Sequence, residues 1–187
     1  GNIPPERGTG TILSLWLAGL FSYLPGTEMS PADDVYYTET AGREGGGGMA
    51  RVKAAACGGY ERETVRESLS GIMDSMGGMH RFVSPGDRVL LKPNLLAAAV
   101  PEKCVTTHPE IVRAVAVMVL EAGGMPFIAD SPGLDGFPGV AGKTGMESVA
   151  RELAIPCREL GDPVPLSMAD GSVFQRVEVS RQAVEAD

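Results

Sequence analysis

The sequence predicts an α/β domain: a mainly parallel sheet with helical crossovers, three layers deep, with a C-terminal hairpin. Two observations carry that prediction. From Val52 onward, short apolar runs alternate with stretches of helical spacing, strand then helix, repeatedly. Glycine and proline pairs separate almost every one of them. Composition agrees, with 43% apolar, 21% charged and only 5% aromatic residues beside 25 glycines and 14 prolines. That balance suits a loop-rich α/β protein better than a β-sandwich or a coiled coil.

Val52–Cys57 is a short apolar run that fits a buried strand. Glu61–Met76 sets Val65, Leu69, Ile72, Met73 and Met76 at helical spacing, and Gly77-Gly78 supplies the stop. After a Pro85-Gly86-Asp87 turn, Arg88–Lys92 is the next strand, closed by Pro93-Asn94. Residues 95–106 form a loop. Thr107-His108-Pro109-Glu110 has the form of a capping box, with Thr107 as N-cap and Glu110 at the third helical position. The helix it opens runs to about Glu121 and ends at Gly123-Gly124. This helix is apolar on nearly every face, so it should be covered on more than one side. Pro126–Ala129 is a third strand. Thr144-Gly145-Met146-Glu147 repeats the capping pattern and opens a helix to about Ala154. Ile155–Leu160 is a fourth strand. Asp170-Gly171 joins Val164–Met168 to Val173–Val179 as a hairpin, and a short helix follows over Ser180–Ala186.

The chain divides at Met49. Residues 1–48 start with Gly1 and hold one apolar run, Thr11–Leu24, then an acidic stretch. The run is shorter than the ~20 residues a membrane span needs. It has no basic flank or small-residue cleavage site, so a targeting signal is not expected. Gly45–Gly48 reads as a linker, or as upstream sequence translated in frame ahead of Met49. Residues 1–48 are therefore expected to be a disordered or non-native leader outside the core. Residues 49–187 form the domain, which reads as incomplete because the chain stops at Asp187 where a new element has just begun.

Net charge is −8, and no basic stripe is present, so nucleic acid and membrane surfaces are not expected partners. The three cysteines, Cys57, Cys104 and Cys157, are odd in number and irregularly spaced. That argues against a disulfide framework and for a reducing, cytoplasmic location. Cys104 and His108 have a C-x-x-x-H spacing without a second pair, so no metal site is assigned. Gly142-Lys143-Thr144 resembles the end of a phosphate-binding loop, but Phe137 stands where its first glycine belongs. A helix N-cap explains the tripeptide better.

In open parallel sheets, ligands bind beyond the carboxyl ends of the strands. Polar residues fall at those ends here: Cys57 after the first strand, Lys92 and Asn94 after the second, Asp130 and Ser131 after the third. Thr107 and His108 start the helix whose N-terminus should face the same rim. Free N–H groups and the helix dipole attract anions there, and Lys92 would add a cation. The expected partner is therefore a small anionic ligand. Lys92, His108 and Asp130 are the candidate catalytic residues, and Cys57, Asn94, Thr107 and Ser131 the candidate ligand contacts. Each also has a plainer role. Lys92 could reach solvent, Asn94 could hold a turn, Thr107 could only cap, and His108 could bond locally. Asp130 could accept loop amides, and Cys57 could be a small buried residue.

Lys53–Cys57, Phe82–Leu95 (FVSPGDRVLLKPNL), Thr106–Glu110 (TTHPE), Glu121–Gly124 and Asp130–Gly133 (DSPG) together resemble the family called domain of unknown function 362. The Lys-Pro-Asn and Thr-His-Pro segments are the most specific parts. The resemblance covers about Met49–Asp187 and implies the N-terminal part of a longer domain. Many members carry a ferredoxin-like module, so it implies [4Fe-4S] clusters in a following region, with none held within this chain, and an electron-transfer partner. Three functions stay open. One is the ligand-binding part of an iron–sulfur redox protein. Another is a non-redox enzyme acting on a phosphorylated or carboxylated small molecule. The third is a binding or scaffold module without chemistry.

Overall fold

The computed structural model describes residues 35–39, 51–133, 135–167, 174 and 176–187. In order, these form β1 (Val35–Glu39), β2 (Arg51–Ala55), α1 (Arg62–Ser75), β3 (Arg88–Leu91), α2 (Pro109–Glu121), β4 (Met125–Asp130), α3 (Phe137–Lys143), α4 (Met146–Leu153), β5 (Cys157–Glu159), β6 (Pro163–Ser167), β7 (Arg176–Ser180) and α5 (Arg181–Val184).

The molecule is an α/β protein around a parallel sheet of order β3-β4-β5. Two crossovers build it, α2 between β3 and β4, and α3 with α4 between β4 and β5. A helical crossover is what lets consecutive strands run parallel. The sheet face bearing Leu91, Ile128 and Cys157 packs on α2, α3 and α4 through Val112, Phe137, Val140, Met146 and Val149. On the opposite face Phe127 lies beneath the guanidinium groups of Arg88 and Arg158. β6 and β7 pair antiparallel as the expected C-terminal hairpin. Its Asp170-Gly171 turn lies outside the described residues.

The strand expected first in the sheet does not join it. β2 pairs antiparallel with β1, in the register Val35↔Ala55 to Glu39↔Arg51. The fourth predicted strand, as β5, takes the third place in the parallel sheet instead. The β1 residues lie within the segment read as a leader.

α2 is buried on several sides, as its composition requires. Ile111, Ala114, Val115, Met118 and Val119 pack with Val65, Leu69 and Met73 of α1, while Val112 faces the other cluster. The glycine pairs end α1 and α2 in the same way. Gly77 and Gly123 adopt φ of 101° and 85°, a region disfavoured for residues with a Cβ. Gly78 N–H then bonds Met73 O at 2.8 Å, and Gly124 N–H bonds Val119 O at 2.9 Å. These bonds satisfy carbonyls left over at the helix ends.

Both predicted capping boxes are corrected. His108, not Thr107, is the N-cap of α2, because Pro109 takes the first helical position, where its fixed φ and missing N–H are tolerated. Thr144 caps no helix start. It follows α3, a helix not expected from the sequence, and its hydroxyl donates to Val140 O at 2.8 Å. Gly145, at φ 84°, then turns the chain into α4. Gly142-Lys143-Thr144 is accordingly the end of a helix.

Candidate functional site

Two clusters gather the predicted residues. The first lies at the carboxyl ends of β3 and β4. Asp130 is the last residue of β4 and is only 3% exposed. A carboxylate that deep needs partners, and it has three. Leu95 N–H donates to Oδ2 at 2.6 Å, Ser131 N–H donates to Oδ1 at 2.8 Å, and Lys92 Nζ lies 3.0 Å from Oδ1. Lys92 Nζ also donates to Asn94 Oδ1 at 2.7 Å. Asn94 sits at φ 57°, a left-handed conformation that asparagine tolerates and that folds its side chain back toward Lys92. The parallel register of β3 and β4 brings Lys92 and Asp130 to one rim, as the topology argument expected.

The electrostatics follow from that bonding. Two backbone amides and one ammonium share the charge of Asp130. Lys92 carries three N–H donors, and two of them are committed. Its side chain stays about half exposed, and one donor is left uncommitted by these two contacts. Asp135 Oδ2 accepts from Ala98 N–H at 2.9 Å and ties that loop to the one after β4.

The second cluster lies at the start of α2. His108 Nδ1 accepts from Glu110 N–H at 3.2 Å, and the ring stacks on Tyr60 with centroids 3.7 Å apart and planes 13° apart. Burial holds the imidazole below its usual pKa, against the pull of Glu110 and Glu102 in the other direction. Ile111 N–H bonds His108 O at 3.1 Å, and Pro109 has no N–H. The helix start is therefore internally satisfied, and the anion-binding terminus expected from the sequence loses its free amides to this cap. Glu110 is held by Arg113 at 2.7 Å and Arg62 at 3.6 Å, while Arg62 grips Glu152 through two bonds of 2.8 Å. This network joins α1, α2 and α4.

Lys92, Asn94, Asp130 and Ser131 are thus brought together. His108 is not joined to them by any hydrogen bond or ion pair among the described residues, and Thr107 precedes the cap. Cys57 is exposed, with its Sγ donating to Gly59 O at 3.0 Å. Leu95, whose amide anchors Asp130, and Tyr60, whose ring holds His108, were not among the expected site residues. No spacing rule signals either residue. Pro109, however, was a readable sign that the cap falls at 108.

This architecture is an α/β domain with a cluster of polar side chains at the carboxyl ends of its parallel strands. Residues 89–187 match the model of the domain of unknown function 362 (DUF362). The chain belongs to that family. It is 41% identical over 128 residues to a thylakoid-associated protein of Synechocystis sp., across 68% of this chain and 39% of that protein. The chain therefore spans well under half the length of that relative. No solved structure matches it. Among the described residues, no helix is long and apolar enough to cross a membrane.

Proposed function

We propose that this chain is the ligand-binding part of a longer protein, and that Lys92 receives a small anion, a phosphate or a carboxylate, at the rim of the sheet. The observation that supports this reading most is the bonding of Asp130. Two amides bond its carboxylate, while the carboxylate and Asn94 fix the ammonium in place. A preordered cation with one donor left over binds an anion at a lower entropic cost than a freely rotating lysine. In an enzyme, the same group would stabilise negative charge developing on a substrate oxygen.

The iron–sulfur role implied by the family finds no cluster ligands here. Cys57 and Cys104 are exposed and Cys157 is half-buried. No three His, Cys, Asp or Glu residues are grouped to hold a metal among the described residues. The described residues do not fit such a cluster.

The test is a titration with inorganic phosphate and with succinate, followed through the backbone amides of Leu95 and Ser131. Saturable shifts are expected, weakened by about tenfold or more in Lys92→Met, the scale of one charge-assisted hydrogen bond. Equal affinity in the variant, or no saturable shift with either anion, would sink the reading.

A further inference from the structure

We propose that His108 is a proton-operated latch: when neutral it fastens the first turn of α2 to the Tyr60 loop, and when protonated it lets both go. The geometry gives the neutral form a definite tautomer. Nδ1 accepts from Glu110 N–H, so the ring proton sits on Nε2. A second proton can only enter at Nδ1, on the lone pair that makes this bond. Protonation therefore replaces an acceptor with a donor and sets two N–H groups against each other. It also places a positive charge at the helix N-terminus, where the macrodipole opposes it. Among the described residues, His108 Nδ1 is the only acceptor bonded to Glu110 N–H. The His108 carbonyl is already engaged by Ile111 N–H.

The same ring carries a second contact. Tyr60 stacks on it while remaining 48% exposed, and lies between β2 and α1, directly ahead of Glu61 and Arg62. A ring that turns away from Glu110 leaves this stack too, so one proton uncouples two segments. The charged groups around the imidazole come from three elements. Glu102, in the turn after β3, and Glu110 favour the charged ring. Arg62 of α1 and Arg113 of α2 hold the Glu110 carboxylate and moderate its pull. Burial outweighs both carboxylates. The neutral, latched form therefore dominates at neutral pH, and release belongs to the acid side.

The latch is read by hydrogen exchange at Glu110 in the intact chain, between about pH 7.5 and about pH 5, with His108→Asn as the reference at each pH. Asparagine supplies a capping oxygen that does not titrate in this range. Protection at Glu110 relative to the variant should fall at least about fivefold on acidification, with a parallel change in the Tyr60 ring signals. A constant ratio, or the same fall in His108→Asn, overturns the proposal. The wild-type ring ¹⁵N shifts give an independent check that needs no variant. A proton found on Nδ1 at neutral pH excludes the latch outright.

Discussion

Asp130 shows how far a single side chain can commit a fold. Its carboxylate is buried because it closes β4, and it is tolerated there because Leu95 N–H, Ser131 N–H and Lys92 meet it. Removing it strands the Leu95 and Ser131 amides and frees Lys92. Asp130→Ala should therefore cost about 2–4 kcal/mol in chemical denaturation, the scale of a broken buried pair. Lys92→Met should cost much less, because the two amides still serve the carboxylate. A loss in Lys92→Met equal to that in Asp130→Ala would show that the ion pair, not the amides, holds the rim. Strand-end position made Lys92, Asn94 and Asp130 legible in the sequence. The amide of Leu95 was not, since backbone donors are chemically alike in every residue. His108 was legible as a residue of interest but not as a cap, because the Thr-x-x-Glu pattern outweighed the meaning of Pro109.

At the scale of elements, local rules worked where the chain supplied its own punctuation. Gly77-Gly78 and Gly123-Gly124 end their helices as expected, because a Cβ is disfavoured at the left-handed positions. Gly124 is constrained a second way. A Cβ there would meet Val83 Cγ1 at 2.6 Å and Val119 Cγ1 at 2.8 Å. Gly124→Ala should destabilise the domain by about 1–3 kcal/mol, the usual cost of overpacking, and thermal unfolding would register it. Local rules failed at α3, where Gly136, Gly139 and Gly142 disguise a seven-residue helix. Its stability comes from packing, with Phe137, Val140 and Ala141 buried against α4 and the sheet, and tertiary burial overrides weak helix propensity. The pairing of β2 was equally hidden, since an apolar run does not name its neighbour.

For the whole molecule, titration should confine stability to a window. His108 has a depressed pKa when folded, so the unfolded chain binds its proton more readily. The stabilisation from the neutral ring is complete above about pH 6.5 and is lost as pH falls through the lower, folded value. Cys157 behaves in the opposite sense. Burial, with a smaller contribution from Glu147, raises its thiol from 9.0 to about 11. Its contribution is present below pH 9.0 and is lost as pH rises toward about 11. Melting temperature plotted against pH should therefore fall on both sides of a central plateau. At pH near 8, a thiol reagent should modify Cys57 and Cys104 well before Cys157, because only the thiolate attacks. Equal rates at all three would refute the raised thiol of Cys157.

The backbone of Arg88 receives Asp187 from both directions. Its N–H donates to Asp187 Oδ2 at 3.0 Å, and its carbonyl accepts from Asp187 N–H at 3.0 Å, across 99 positions of sequence. During synthesis, then, the Arg88 end of β3 emerges long before the residue that bonds its outward-facing backbone. For that interval the backbone of Arg88 at the sheet edge stays without these two bonds, a point where a neighbouring strand could pair.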